Sequence, residues 1–176
     1  LFGSEVVVNE SQACIVPKNM TLAEAAATPI VFLTANYGLN QLAQLKHGQK
    51  VLIHAATGGV GLAAIAFAKL AGAEVYATTS TSKQAYLRDV LGITHIYDSR
   101  TTDFGQQIMQ DTKDQGVDVV LNSLTSEGFI ATSLSCLKQN GVFLEIGKLN
   151  IYTQEQMHAT RPDEAYHIIA LDTRSV

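Results

Sequence analysis

The sequence predicts a doubly wound α/β domain: six parallel strands in the order 3-2-1-4-5-6, helices on both faces, and a short β remnant in front. Three observations predict it. Lys50 to Ala71, KVLIHAATGGVGLAAIAFAKLA, reads as strand, glycine turn and helix. Apolar, partly β-branched runs then alternate with helix-period stretches along the remaining chain, which is the rhythm of βαβ units. Hydrophobic residues make up 47% of the 176 positions and charged ones 16%, a balance suited to a sheet covered on both faces.

Residues 1–17 stand outside that rhythm. Glu5 to Val8 and Ala13 to Val16 are two strand-like runs around Asn9-Glu-Ser-Gln12 that stop at Pro17, and they are expected to be the tail of a separate β domain. The first residue is Leu1, with no signal-peptide pattern, so the chain is expected to be a segment of something larger. Thr21-Leu-Ala-Glu24 is a capping box opening a helix through Ala27. Pro29 restarts it, and Ile30 to Leu45 keeps helical spacing until His47-Gly48. Residues 18–48 therefore read as linker helices feeding a nucleotide-binding domain over 49–176.

The first strand, Lys50 to Ala55, is a short apolar run buried on both faces, and Leu62 to Leu70 carries apolar residues at helical spacing. Between them lies Ala56-Thr57-Gly58-Gly59-Val60-Gly61, the dinucleotide fingerprint G-x-G-x-x-G with alanine in the first position. Gly58 lets the backbone approach a pyrophosphate and Gly61 lets helix pack on strand, while the N–H groups and positive dipole end of the helix face the phosphates. A second strand, Glu74 to Thr78, completes the βαβ unit.

The end of that strand points to the kind of dinucleotide. An NAD site would place Asp or Glu there to bond the ribose 2′-hydroxyl. Here stand Thr78-Thr79-Ser80-Thr81-Ser82-Lys83. Hydroxyls and a lysine can donate to a 2′-phosphate that a carboxylate would repel, so Thr79, Ser80 and Lys83 predict NADP(H).

A helix is expected from Lys83 to Leu91, a third strand at Thr94 to Tyr97 and a helix from Asp103 to Lys113. Gly116 to Leu121 is the fourth strand, Ser126 to Leu137 its helix, and Gly141 to Ile146 the fifth strand. An irregular polar excursion, Asn150 to Glu164, precedes a sixth at Ala165 to Leu171. Ligands of an open α/β sheet bind beyond the carboxyl ends of the strands. Those ends carry the fingerprint, the Thr/Ser/Lys group, Ser99-Arg100, Asn122-Ser123, Gly147-Lys148 and Asp172. Strands five and six are neighbours, so Lys148 and Asp172 are expected to share a rim, where a cation and a carboxylate suit proton transfer and charge stabilisation. Asn122 can bond a ribose or hold its own turn. His54, inside a buried strand, reads as a satisfied core histidine. Tyr37 can border a nicotinamide pocket or pack in the core.

Net charge is −4 and no Lys/Arg cluster occurs, which argues against nucleic acid and anionic membrane as partners. No apolar run reaches the ~18 residues of a membrane span. Cys14 and Cys136 are far apart, without metal-ligand spacing, and read as thiols of a reducing cytoplasm, with no metal site.

The segments PIVFLTANYGL at 29–39, VLIHAATGGVGLAAI at 51–65, GVDVVLNSL at 116–124 and GVFLEIGK at 141–148 resemble the enoyl reductase domain of modular polyketide synthases and animal-type fatty acid synthases, in the zinc-independent part of the medium-chain dehydrogenase/reductase superfamily. The resemblance implies a Rossmann-type domain and, for residues 1–17, the last part of a GroES-like substrate domain. It implies hydride transfer from NADPH to the β-carbon of an α,β-unsaturated thioester on an acyl carrier protein, then α-carbon protonation. Lys148 and Asp172, 24 positions apart, match the family's proposed proton-donating pair. The partners implied are the carrier-bound enoyl thioester and the other domains of the same synthase. Asn36 departs from the tyrosine common in the family. Without the GroES-like half, the chain is expected to bind NADPH but to reduce thioesters poorly. Three alternatives share the turn: a cyclopropane-forming homologue that expels halide, a quinone-oxidoreductase-like enzyme, and a non-catalytic cofactor-holding scaffold.

Overall fold

The structure is a computed structural model that describes Gly3 and residues 5–171. The chain divides into two units, Leu1–Ile30 and Val31–Val176. In the first unit the expected strands at 5–8 and 13–16 do not form; the backbone there is irregular around a 3₁₀ turn, Glu10–Gln12, in which Ser11 N–H donates to the Asn9 side chain. A two-stranded hairpin without a sheet to join is marginal, and no neighbouring strand is present among the described residues of this unit. Helix α1, Leu22–Ala27, opens on the expected capping box: Thr21 N–H donates to Glu24 Oε2 at 2.8 Å and Glu24 N–H to Thr21 Oγ1 at 3.2 Å. Ile15, Val16, Pro17, Met20 and Leu22 line an apolar groove of about 510 Å³.

Helix α2, Pro29–Asn36, runs on as a wider π-helical turn, Tyr37–Leu42, so the helix ends several residues before the expected His47-Gly48. The widening lets Gly38 and Leu39 face inward; a Cβ on Gly38 would stand 2.8 Å from the Ile169 side chain.

The sheet follows with the expected order. Its strands are β1 Lys50–Ile53, β2 Glu74–Thr79, β3 His95–Asp98, β4 Val117–Asn122, β5 Leu137–Glu145 and β6 Ala165–Ile168. They pair in parallel as β3-β2-β1-β4-β5-β6. Helices α3 Gly59–Ala71, α4 Phe104–Asp111, α5 Phe129–Ser135 and α6 Gln154–Thr160 join them. Two apolar clusters cover the two faces: Val51, Ile53, Ala64, Ile65, Ala68, Val119 and Leu121 in one, and Leu52, Phe104, Ile108, Val120, Leu134 and Phe143 in the other. The alternation follows from strand geometry, since successive side chains of β1 and β4 point to opposite faces.

Five elements differ from expectation. The stretch 83–91 is a 3₁₀ turn, Thr81–Lys83, followed by a π-helical turn, Tyr86–Val90; the wide turn buries Leu87 and closes on left-handed Gly92 (φ 61°). Helix α5 starts three residues late, because Gly128 at φ 82° turns the chain immediately before it. Its expected end, Leu137, instead starts β5, which pairs with Val117 before the register shifts. The excursion expected to be irregular contains α6, opened by a capping box of Thr153 and Gln156 and anchored by buried Met157. The strand β6 is shorter than expected at its carboxyl end.

Candidate functional site

The turn between β1 and α3 is built around small residues. Ala55 takes φ 48°, and its carbonyl accepts Gly58 N–H at 2.8 Å. Ala56 N–H donates to Thr78 O at 2.9 Å, tying the turn to β2. A Cβ on Gly61 would lie 2.6 Å from Ala56 Cα and 2.7 Å from Ala55 O, both backbone, so helix and strand meet where only glycine fits. Gly58 at the helix N-cap has no side chain to cap the first turn. The amides of Gly59, Val60 and Gly61 therefore open the helix without intrahelical partners, as an anion site requires.

Beside this turn a cavity of about 210 Å³ is lined by Thr57, Gly58, Thr79, Ser80, Lys83 and Arg100, together with Ala55 and Ser99. Six residues expected from strand-end position alone thus converge, drawn from the ends of β1, β2 and β3. Thr57 Oγ1 and Thr79 Oγ1 are 2.7 Å apart, and Ser80 and Ser82 hydroxyls 3.4 Å. Asp98 turns its oxygens to Arg100 N–H at 2.9 Å and Thr81 Oγ1 at 3.3 Å, and so orders the β3 end. Lys83 and Arg100 are exposed at the mouth. Two cations, hydroxyl donors and a helix N-terminus with glycine backbone form a donor set that fits a phosphorylated dinucleotide.

The other expected residues lie apart from that cavity. Asn122 is fully buried: Nδ2 donates to Glu145 Oε2 at 2.6 Å, and Oδ1 accepts Leu124 N–H at 3.2 Å. Both ends of its amide are engaged within the protein, one across to β5 and one on the turn after β4. Ser123 Oγ is buried with no hydrogen-bond partner among the described residues. Gly147 N–H donates to Glu145 Oε1 at 2.6 Å, and Lys148 is exposed just beyond. Tyr37 is half-buried against the first apolar cluster. Asp172 lies outside the described residues. A second cavity, about 340 Å³, lies between Thr125, Ser126, Glu127 and the Asn150-to-Tyr152 stretch and holds none of the expected residues. Among the described residues no three of His, Cys, Asp and Glu gather as a metal-holding group.

His54 is a core histidine with every polar atom used. Ser133 O–H donates to Phe129 O at 2.8 Å, so Ser133 Oγ can only accept from His54 Nε2–H, at 2.8 Å. Nδ1 then accepts from Thr78 O–H at 2.9 Å, and the ring packs edge-on against Phe104. Burial pushes its pKa down to about 3. Between the unfolded value near 6.5 and that value the unfolded chain binds the extra proton, so His54 lowers stability as pH falls. Glu145 and Glu164 are raised, chiefly by burial, and act in the opposite sense. A His54→Gln variant keeps both carboxylates. Below pH 6.5 the wild-type advantage over it is expected to shrink by about 1.4 kcal/mol per pH unit in urea melts; a constant difference would mean that the native ring takes up the proton.

Sequence reasoning passed over Glu145. It is an acid closing an otherwise apolar run, GVFLEIG, and that inconsistency marks a buried polar role.

Residues 59–170 match the family described as "Zinc-binding dehydrogenase". The chain is 50% identical over 141 residues to a mycocerosic acid synthase-like polyketide synthase of Mycobacterium tuberculosis, covering 80% of this chain and 7% of that protein. Among solved structures, CurK enoyl reductase superposes with a TM-score of 0.87 at 51% identity, over 90% of this chain and 47% of that one. The nucleotide-binding subdomain of the enoylreductase domain of PpsC from Mycobacterium tuberculosis gives 0.73 at 37% identity, over 81% and 80%. The chain therefore spans a small fraction of the synthase and about half of the CurK reductase. Among the described residues no helix is long and apolar enough to cross a membrane.

Proposed function

Since the chain belongs to the enoyl reductase domains of the medium-chain dehydrogenase/reductase superfamily, we propose that it is the NADPH-binding half of a polyketide-synthase enoyl reductase. The observation that carries this reading is the convergence of Thr57, Thr79, Ser80, Lys83 and Arg100 on one cavity beside the Gly58–Gly61 turn. When bound, NADPH supplies hydride to the β-carbon of an α,β-unsaturated acyl thioester delivered on an acyl carrier protein. The amides of Gly59, Val60 and Gly61 hold the pyrophosphate, and Lys83 and Arg100 neutralise the 2′-phosphate. Lys148, exposed beyond β5, supplies positive charge to the enolate oxygen and a proton to the α-carbon, with Asp172 as its partner or the alternative donor. Ser123 Oγ, buried and without a hydrogen-bond partner among the described residues, would be a hydroxyl available to the bound cofactor. Other domains of the same synthase supply the substrate.

Fluorescence titration of this chain with NADPH and NADH tests the nucleotide half. NADPH is expected to bind at least ~30-fold more tightly, and Lys83→Ala and Arg100→Ala each to lose about tenfold for NADPH while leaving NADH unchanged, as the loss of one charge-assisted phosphate contact implies. Equal affinity for the two cofactors in the unaltered chain would remove the 2′-phosphate assignment.

A further inference from the structure

Glu145 is, with Glu164, one of the acids of the second unit whose side chain is fully buried. It is completely buried at the end of β5, at the sheet edge where ligands bind, in a run otherwise apolar. Both of its oxygens are engaged, each by a different loop. Oε2 accepts Asn122 Nδ2–H at 2.6 Å and Oε1 accepts Gly147 N–H at 2.6 Å. Asn122 and Glu145 face each other across the β4–β5 ladder, and Asn122 Oδ1 in turn accepts Leu124 N–H. One carboxylate and one amide thus form a bracket that sets where the chain leaves β4 and where it leaves β5. The space is tight: a Cβ on Gly147 would stand 2.8 Å from Glu145 Oε1 and 2.6 Å from Thr125 Cγ2, so the glycine seals the bracket. Lys148 is the next residue.

Burial of a carboxylate costs several kcal/mol, offset only when its hydrogen bonds are complete. An apolar residue at 145 would avoid that cost, and the neighbouring β5 positions Val142, Phe143 and Leu144 are apolar. The bracket performs a task that packing alone does not: it fixes a glycine-containing loop by its backbone.

We infer that Glu145 is a positioning residue of the reductase, which through Gly147 N–H and Asn122 holds the Lys148 loop and the Leu124 loop at the distance the substrate requires. The inference rests on the reading of Lys148 as proton donor. Glu145 touches neither substrate nor cofactor in this scheme, so it acts on turnover and leaves NADPH affinity alone.

The test uses Glu145→Gln, Lys148→Ala and the double variant in the complete reductase polypeptide, with three readouts: amide exchange at Gly147 and Leu124, NADPH affinity, and turnover of crotonyl thioester. A glutamine has one oxygen and one NH₂, so it cannot present an acceptor at both of the positions that the two carboxylate oxygens fill. Glu145→Gln is expected to speed exchange at Gly147 and Leu124 at least tenfold, with Leu144 unchanged. Its kcat is expected to fall ten- to hundredfold, as for misplacement of a reacting group, with the NADPH Kd within about twofold, and the double variant to be no slower than Lys148→Ala. Glu145→Gln turning over normally while Lys148→Ala is slow overturns the positioning role, as does a Kd that weakens in step with kcat. Lys148→Ala at wild-type turnover instead overturns the proton-donor reading on which the inference stands. If Glu145→Gln does not fold, Asn122→Ser keeps the carboxylate and removes its amide partner. The same readouts are expected to shift in the same direction, and unchanged exchange at Gly147 in that variant overturns the bracket.

Discussion

Gly61→Val is expected to abolish measurable NADPH binding and to destabilise the domain by about 2–3 kcal/mol, the upper range for a group forced into a packed interior. The obstruction is backbone, not side chain: the new Cβ would stand 2.6 Å from Ala56 Cα and 2.7 Å from Ala55 O and Ala56 C. Rotamer changes cannot relieve it, so α3 has to move off β1. That motion displaces the amides of Gly59, Val60 and Gly61, the groups proposed to hold the pyrophosphate, and an affinity loss of at least ~100-fold is expected from a misplaced anion site. Gly58→Ala is the milder comparison, since its Cβ would meet Ala55 O at 3.1 Å. Equilibrium urea unfolding and cofactor titration measure both variants. Wild-type affinity in Gly61→Val would remove the turn from the cofactor site.

Arg161→Ala is expected to cost about 3 kcal/mol at pH 8, the range for stripping the partner from a buried charge. Arg161 Nη1 donates to Leu134 O at 2.9 Å, Nη2 reaches Leu137 O and Lys138 O at 3.4 Å, and Nε meets Asp163 Oδ1 at 3.3 Å. Nη2 also pairs with Glu164, whose side chain is fully buried. The guanidinium therefore staples the end of α5, the start of β5 and the approach to β6. Burial already raises the Glu164 pKa to about 7. Without Arg161 the carboxyl loses its counter-charge and is raised further. The folded variant then binds a proton at a pH where neither the unfolded chain, with Glu near 4.3, nor folded wild type, with Glu164 at about 7, yet does, so the deficit shrinks as pH falls from 8 through 7 and levels off toward 5, where both folded proteins carry the proton. Thermal or urea unfolding of both proteins across that range measures it. A deficit independent of pH would mean that Glu164 is not the group left unpaired.

Much of the fold was legible because it depends on local pattern. Six apolar runs with helix-period stretches between them fix the strand count, and the handedness of βαβ crossovers fixes the order once the first glycine turn is placed. The cavity beside the glycine turn was legible for the same reason: strand ends of a parallel sheet lie on one edge, so Thr57, Thr79, Ser80, Lys83 and Arg100 had to be neighbours. Helix α6 was legible and missed; Thr153-Gln-Glu-Gln156 carries the same capping signal that located α1 at Thr21. The N-terminal runs failed for a different reason. Val6, Val7, Val8 and Ile15 have strand propensity, yet they remain exposed without strand partners in their unit.

By itself, the sequence determined the fold class, the site edge and the residue types available for a phosphorylated dinucleotide, because periodicity and glycine placement act over a few residues. Only the tertiary structure decided what the strand-end residues do there. Asn122 turns inward, where its amide meets Glu145, 23 positions away, and His54 stays neutral because burial penalises its charge, with Thr78 and Ser133 satisfying both ring nitrogens. Those roles depend on which buried polar groups meet, and pairings between distant segments exist only once the sheet has closed around them.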